Sequence, residues 1–218
     1  MHEDGRLIPI QGYVVRGGDG TVVLVDTGFP DVVRGFEHYG EPIEQHAVVD
    51  ELAKLGLAPG DLDLVVLTHS DVDHIGGIGA VSGVPIVMHR AERALPRPRW
   101  FDGTWSDLRW PYADYLRVEG DVEIVPGLTL LETRGHSPGH MSLLVRLAET
   151  GRVLLAVDAI SRRAELERGF NAGAWDEPLA FESQQRVVEL AAREDAWLVF
   201  GHDPDQRLEI QYAPATYD

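Results

Sequence analysis

His69, Asp71, Asp73 and His74 stand together in one short stretch, four potential metal ligands within six residues. Imidazole and carboxylate in that density are the ligands of catalytic zinc, manganese and iron sites, which keep open positions for water. The same chemistry recurs along the chain. His136 sits in Gly135-His136-Ser137-Pro138-Gly139-His140, Asp158 in Val157-Asp158-Ala159, and His202 in Gly201-His202-Asp203. Each follows a short apolar run: Leu64 to Leu67, Leu128 to Glu132, Val153 to Val157 and Trp197 to Phe200. Runs of that length and composition are strand-like. Ligands of open α/β sheets gather outside the carboxyl ends of strands. A lone His–Asp cluster reads as a solvated turn, but four strand ends that carry His or Asp imply a metal site. The pair Gly76-Gly77 is expected to let the chain turn and pass close to whatever these side chains hold.

The remaining elements must position those residues. Gln11 to Arg16 and Thr21 to Val25 read as two strands joined by a hairpin at Gly17-Gly18-Asp19-Gly20. Asp26, before Thr27-Gly28, is expected to make local backbone hydrogen bonds. Glu41-Pro42 opens a helix that presents Ile43, Ala47, Val48, Leu52 and Leu55 on one face and ends at Gly56. Val84 to Met88 is a strand ending near His89, which reads as structural. Phe181 to Arg193 is an amphipathic helix with Phe181, Val188 and Ala191 on one face. Residues 96–117 carry Trp100, Phe101, Trp105, Trp110, Tyr112 and Tyr115. They read as a surface excursion that packs on the body or on a second copy of the chain, and as an aromatic wall over a substrate cleft. A homodimer is the assembly this allows.

Composition narrows the function classes. The 218 residues make one domain, 1–218, or one domain of two similar halves, and 44% hydrophobic residues supply a substantial core. Without Cys there are no disulfides and no thiolate ligands. The net charge of −17, from 36 acids against 19 bases, disfavours nucleic acid as a partner. No apolar run reaches the ~18 residues of a membrane span, and no basic-then-apolar signal pattern opens the chain, so a cytoplasmic protein with no membrane contact is expected.

The order His69-x-Asp71-x-Asp73-His74, then His136, Asp158 and His202, resembles the metallo-β-lactamase superfamily. Within it the segments around His136, Asp158 and His202 are most similar to the N-acyl-homoserine lactonases. The resemblance runs from Asp26-Thr27-Gly28 to Gly201-His202-Asp203. It implies an α/β fold, the four-layer αβ/βα sandwich with metals at one edge. It also implies two divalent metal ions, zinc by default. One would be held by His69, Asp71 and His136, the other by Asp73, His74 and His202, with Asp158 bridging. His140 is then structural or supports a ligand. The implied activity is opening of a lactone ring, of the quorum-quenching type. A glyoxalase-II-like hydrolase of another small ester or thioester, or a non-enzymatic metal-binding module on the same fold, is the alternative.

Three positions depart from the family pattern. Asp71 stands where the family has His. Ser161 stands three positions after the bridging Asp, where these lactonases usually carry a Tyr that meets the substrate. The chain also begins close to its first hairpin. Two metals lower the pKa of bound water and polarise a carbonyl. Asp73 sits where it could both ligate and handle the leaving group's proton. Trp105, Trp110, Tyr112, Tyr115 and Ser161 are the candidate substrate contacts. Asp71 subtracts one charge from the cluster, which makes a weaker Lewis acid and raises the pKa of its water above the ~7 of a good zinc site. Its oxygen also moves preference toward manganese or iron.

Overall fold

The structure, a computed structural model, describes residues 8–30, 46–99, 114–169 and 173–218. A hairpin opens it, β1 (Tyr13–Arg16) and β2 (Val22–Val25), followed by α1 (Val48–Lys54), β3 (Leu64–Leu67) and the one-turn helix α2 (Val72–Ile75). Next come β4 (Ile86–His89), α3 (Arg90–Arg93) and β5 (Tyr115–Val118). The second half holds β6 (Val122–Val125), β7 (Leu128–Glu132), β8 (Met141–Leu147), β9 (Gly151–Val157), α4 (Arg163–Arg168), α5 (Glu177–Glu194) and β10 (Ala196–Phe200).

Two five-stranded sheets result, ordered β1-β2-β3-β4-β5 and β10-β9-β8-β7-β6. Strands β2 to β5 run parallel, and β10 runs parallel to β9 at the edge of an otherwise antiparallel sheet. Period-two alternation puts successive side chains on opposite faces and so builds the layers. Val23, Val25, Val66 and Val87 of the first sheet meet Leu128, Leu130, Leu143, Val153 and Leu155 of the second. The alternate residues Leu24, Val65, Leu67, Ile86 and Met88 face outward and pack with Leu52 of α1 and Ile75 of α2. Leu144, Leu154 and Ala156 face outward from the second sheet against Val187, Leu190 and Ala191 of α5. Helix, sheet, sheet, helix is the expected αβ/βα sandwich. Strand β3 is apolar at every position because both of its faces are covered.

Several expectations are corrected. The buried stripe of α5 is Ala180, Ser183, Gln184, Val187, Leu190 and Ala191. Phe181 and Val188 are exposed, at 41% and 38%. The inward stripe is made partly of small and polar residues, so counting large apolar side chains selects the wrong arc. The first expected helix is described over Val48–Lys54, with Gly56 at φ 70 just past its end; Ile43 lies outside the described residues. Strands β5, β6 and β8 went unpredicted. Tyr115 lies on β5, packs on the outer core of the first sheet and has the Arg93 guanidinium 4.6 Å from its ring centroid. Edge-strand pairing with Ile86 carries it there and away from the cleft. Trp105, Trp110 and Tyr112 lie outside the described residues. No described helix is long and apolar enough to cross a membrane.

Candidate metal centre

The turns after β3, β7, β9 and β10 converge at one edge of the sandwich. Among the described residues, two sets of donor atoms lie within 4.8 Å of one another: His69, His136 and Asp158, and Asp73, His74 and His202. Asp158 faces both. Its Oδ2 stands 3.5 Å from His136 Nε2 and 3.9 Å from His69 Nε2, and its Oδ1 stands 3.0 Å from His202 Nε2 and 3.5 Å from His74 Nε2. Asp71 joins the first set through Oδ2, 3.1 Å from His136 Nε2 and 3.7 Å from His69 Nε2. Asp73 Oδ2 is 3.7 Å from both His74 Nε2 and His202 Nε2.

Hydrogen bonds behind the imidazoles fix which nitrogen faces inward. Asp26 Oδ2 lies 2.8 Å from His74 Nδ1, so that nitrogen donates and Nε2 points at the site. The two Asp26 oxygens also accept from the Thr68 N–H and hydroxyl. Having donated its proton, the Thr68 oxygen accepts from His69 Nδ1 at 3.0 Å. His202 Nδ1 donates to the Pro9 carbonyl at 2.8 Å. In the neutral rings, the form that binds a metal, His69 Nε2 and His74 Nε2 are buried acceptors with no hydrogen-bond partner among the described residues. Orphaned lone pairs aimed at shared carboxylates are what a metal site requires. The donor set fits two divalent metal ions. His140 is excluded as a ligand, because its Nε2 accepts the Asp158 N–H and its Nδ1 faces the Thr133 carbonyl.

Backbone strain helps aim the acids. Asp26 and Val157 have φ of 57° and 50°, and Val157 is β-branched, a residue type for which that region is costly. The bend at Val157 turns the chain out of β9 immediately before Asp158. The β10 register slips opposite it, between Val199 and Phe200.

Two residues escaped sequence reasoning. Asp26 does not make the local turn bonds expected of it; it orients His74 and Thr68 from a distant part of the chain. Glu92 of α3 is fully buried and ties together the two loops that carry His69 and His136. One oxygen accepts from the Ser70 N–H and hydroxyl, the other from Ser137 Oγ at 2.7 Å and the Gly139 N–H at 2.9 Å. Gly76 and Gly77 make room for the Asp26 loop, since a Cβ on either would strike Thr27 or Pro30 backbone. Their close approach is to that loop and not to the ligands. His89 is structural, as expected, bridging the Ala91 N–H and Glu132.

The electrostatics follow from packing charge in a dry place. Burial opposes charge on His202, but Asp158 and Asp73 outweigh it and raise its pKa to about 9. Burial likewise opposes charge on His74, and Asp73, Asp158 and Asp26 raise it well above the ordinary range. Burial also resists ionisation of Asp158, yet His202, His74 and His136 hold it well below the usual carboxylate range. Burial raises Asp73. Positive charge is therefore favoured on His74 and His202, whereas burial and the neighbouring His74 hold His69 well below the usual imidazole range.

A model of the metallo-beta-lactamase superfamily matches residues 6–202. The chain belongs to that superfamily. An N-acyl homoserine lactonase of Bacillus thuringiensis is 33% identical over 96% of this chain and 88% of its own length. The crystal structure of a quorum-quenching N-acyl homoserine lactone lactonase superposes with a TM-score of 0.85 at 32% identity, covering 97% of this chain and 86% of its own. A further solved lactone hydrolase, with the product N-hexanoyl-L-homoserine bound at its catalytic metal center, matches with a TM-score of 0.83, 32% identity, and 97% and 87% coverage. This superfamily member opens its metal edge to a cleft lined by Asp71, Asp73, His136, Asp158, Ser161 and His202. Ser161 anchors the cleft through its backbone: its N–H donates to Glu165 at 2.8 Å, and its carbonyl accepts the His202 N–H at 2.7 Å.

Proposed function

We propose that this chain hydrolyses N-acyl homoserine lactones with two divalent metal ions, a quorum-quenching activity carried by residues 1–218 as one unit. The observation that carries the reading is Asp158, which turns one oxygen to each donor set at the floor of an open cleft. His69, Asp71 and His136 would hold one ion, Asp73, His74 and His202 the other, and Asp158 both. Such a pair supplies Lewis acidity and lowers the pKa of the water it holds. We take the ions as zinc, with manganese or iron admitted by the oxygen of Asp71.

The chain's own residues then do the rest. Asp73 is the ligand with solvent access, its side chain 21% exposed. It takes the proton of the attacking water and returns it to the ring oxygen as the acyl C–O bond breaks, leaving a carboxylate and a free hydroxyl. Asp26, Thr68 and the Pro9 carbonyl keep three imidazoles oriented throughout. The Ser161 side chain is too short to take over a phenol's contact with the substrate, so carbonyl polarisation rests more heavily on the metals. Trp105, Trp110 and Tyr112 supply apolar contacts to the acyl chain.

Elemental analysis of the purified protein and a lactone-opening assay test this together. Two ions per chain and ring opening are expected, with Asp73→Asn losing turnover. Hydrolysis of thioesters but not lactones would move the chain to the glyoxalase-II-like class. Bound metal with no ester hydrolysis at all would leave a binding module.

A further inference from the structure

We propose that Arg99 is the counter-charge that allows a carboxylate, Asp71, to stand where the superfamily pattern places an imidazole. The inference rests on the two-metal reading above. Asp71 divides its oxygens: Oδ2 points at His136 and His69, while Oδ1 lies 3.7 Å from Arg99 Nε. The Arg99 guanidinium is held on its other edge, donating from one terminal nitrogen to the His136 carbonyl and from the other to the Gly173 carbonyl at 2.7 Å. Its side chain is only 13% exposed. One guanidinium thus lies within ion-pair distance of the carboxylate of one proposed ligand and hydrogen-bonds the backbone of another.

The chemistry of guanidinium suits this position. It stays charged at all working pH values and offers no lone pair, so it cannot compete for the metal. Its fork serves the carboxylate and two carbonyls at once, which a lysine ammonium could not match in geometry. Replacing imidazole by Asp71 lowers the charge of the cluster by one unit, and Arg99 restores that unit from behind the ligand. The weaker Lewis acidity expected from Asp71 alone is accordingly offset. Conversely, an imidazole at position 71 takes the Asp71 carboxylate away from the Arg99 guanidinium, so that a cation faces the first metal without that counter-charge.

Four proteins test the pairing: wild type, Asp71→His, Arg99→Met, and the double variant. Zinc stoichiometry after dialysis and zinc affinity by competition with a chromophoric chelator are the readouts, with thermal unfolding of each metal-free protein. Asp71→His alone should weaken zinc at the first position on the order of tenfold or more, given a cation a few ångströms away. Adding Arg99→Met should restore it. Arg99→Met alone should lower the melting temperature of the metal-free protein, because the Oδ1 side of buried Asp71 loses its counter-charge, and should not weaken zinc. Full zinc binding by Asp71→His, or a double variant no better than Asp71→His, overturns the proposal. Arg99→Met weakening zinc in both backgrounds also overturns it, and makes Arg99 only a clasp for the His136 loop. Fewer than two ions on the wild type would instead defeat the two-metal reading itself.

Discussion

Asp26 Oδ2 accepts from His74 Nδ1 at 2.8 Å while the same carboxylate holds Thr68, and through Thr68 the ring of His69. One carboxylate therefore orients an imidazole in each donor set. Outer partners of this kind typically carry 10–100-fold in metal affinity. Asp26→Asn should weaken both sites by about that factor, since the amide cannot accept from His74 and Thr68 with the same strength. Chelator competition on the variant is the measurement. Unchanged affinity at both positions would reduce Asp26 to a loop anchor.

Asp158→Ala should release both metals and abolish activity together. No other described carboxylate lies between His136 and His202 with one oxygen toward each. In the metal-free protein the same change removes a charge that raises the pKa of both imidazoles. A variant that keeps two ions and near-normal turnover would disprove the assignment.

Glu92 makes the strongest stability prediction. Glu92→Ala leaves the Ser70 and Gly139 N–H groups and the Ser137 hydroxyl buried without acceptors. Each costs about 1–3 kcal/mol, and several are lost at once. Denaturant unfolding should show a drop of about 3–5 kcal/mol, with metal affinity falling because the His69 and His136 loops separate. Glu92→Gln should lose less, since it keeps the shape and part of the acceptor capacity. A loss below 1 kcal/mol in Glu92→Ala would contradict the role.

The ligands were legible because each follows a strand, and the most buried of these read as unbroken apolar runs: Leu64 to Leu67 before His69, Val153 to Val157 before Asp158. The supports were not legible, because they come from elsewhere in the chain. Asp26 looks like a turn residue until β2 pairs with β3 and brings it beside Thr68. Glu92 sits in the undistinguished Arg-Ala-Glu-Arg of α3, and nothing in its spacing says that it is fully buried. Arg99 has no local signal either, so the unit of charge that Asp71 subtracts stands uncompensated when only the sequence is read. The face of α5 was misread for a related reason: Ser183 and Gln184 are buried by their place on the helix and not by their hydrophobicity. Tyr115 was grouped with Trp105 and Trp110 by composition, whereas pairing of β5 with β4 decides where it goes.

Glu165, which is not itself a proposed ligand, yields a pH dependence of its own. Burial pushes its carboxyl up to about 7, with the Asp158 charge adding to the effect and the Ser161 N–H opposing it. The unfolded carboxyl titrates near its ordinary value of 4.5. Between those pH values the folded protein holds a proton that the unfolded chain releases. The folded pKa being the higher one, this contribution to stability is fully present below about 4.5 and is lost as pH rises through about 7. Glu165→Gln keeps an oxygen for the Ser161 N–H and has no charge to bury. Relative to it, the wild type should lose up to about 3 kcal/mol across that window. Urea unfolding of both metal-free proteins at pH 5 and pH 8 checks the sign, because bound cations would pull the carboxyl down again. The variant should gain on the wild type at pH 8 and match it more closely at pH 5. A gap that is equal at both pH values, or larger at pH 5, would mean that the Glu165 carboxyl ionises freely in the folded cleft.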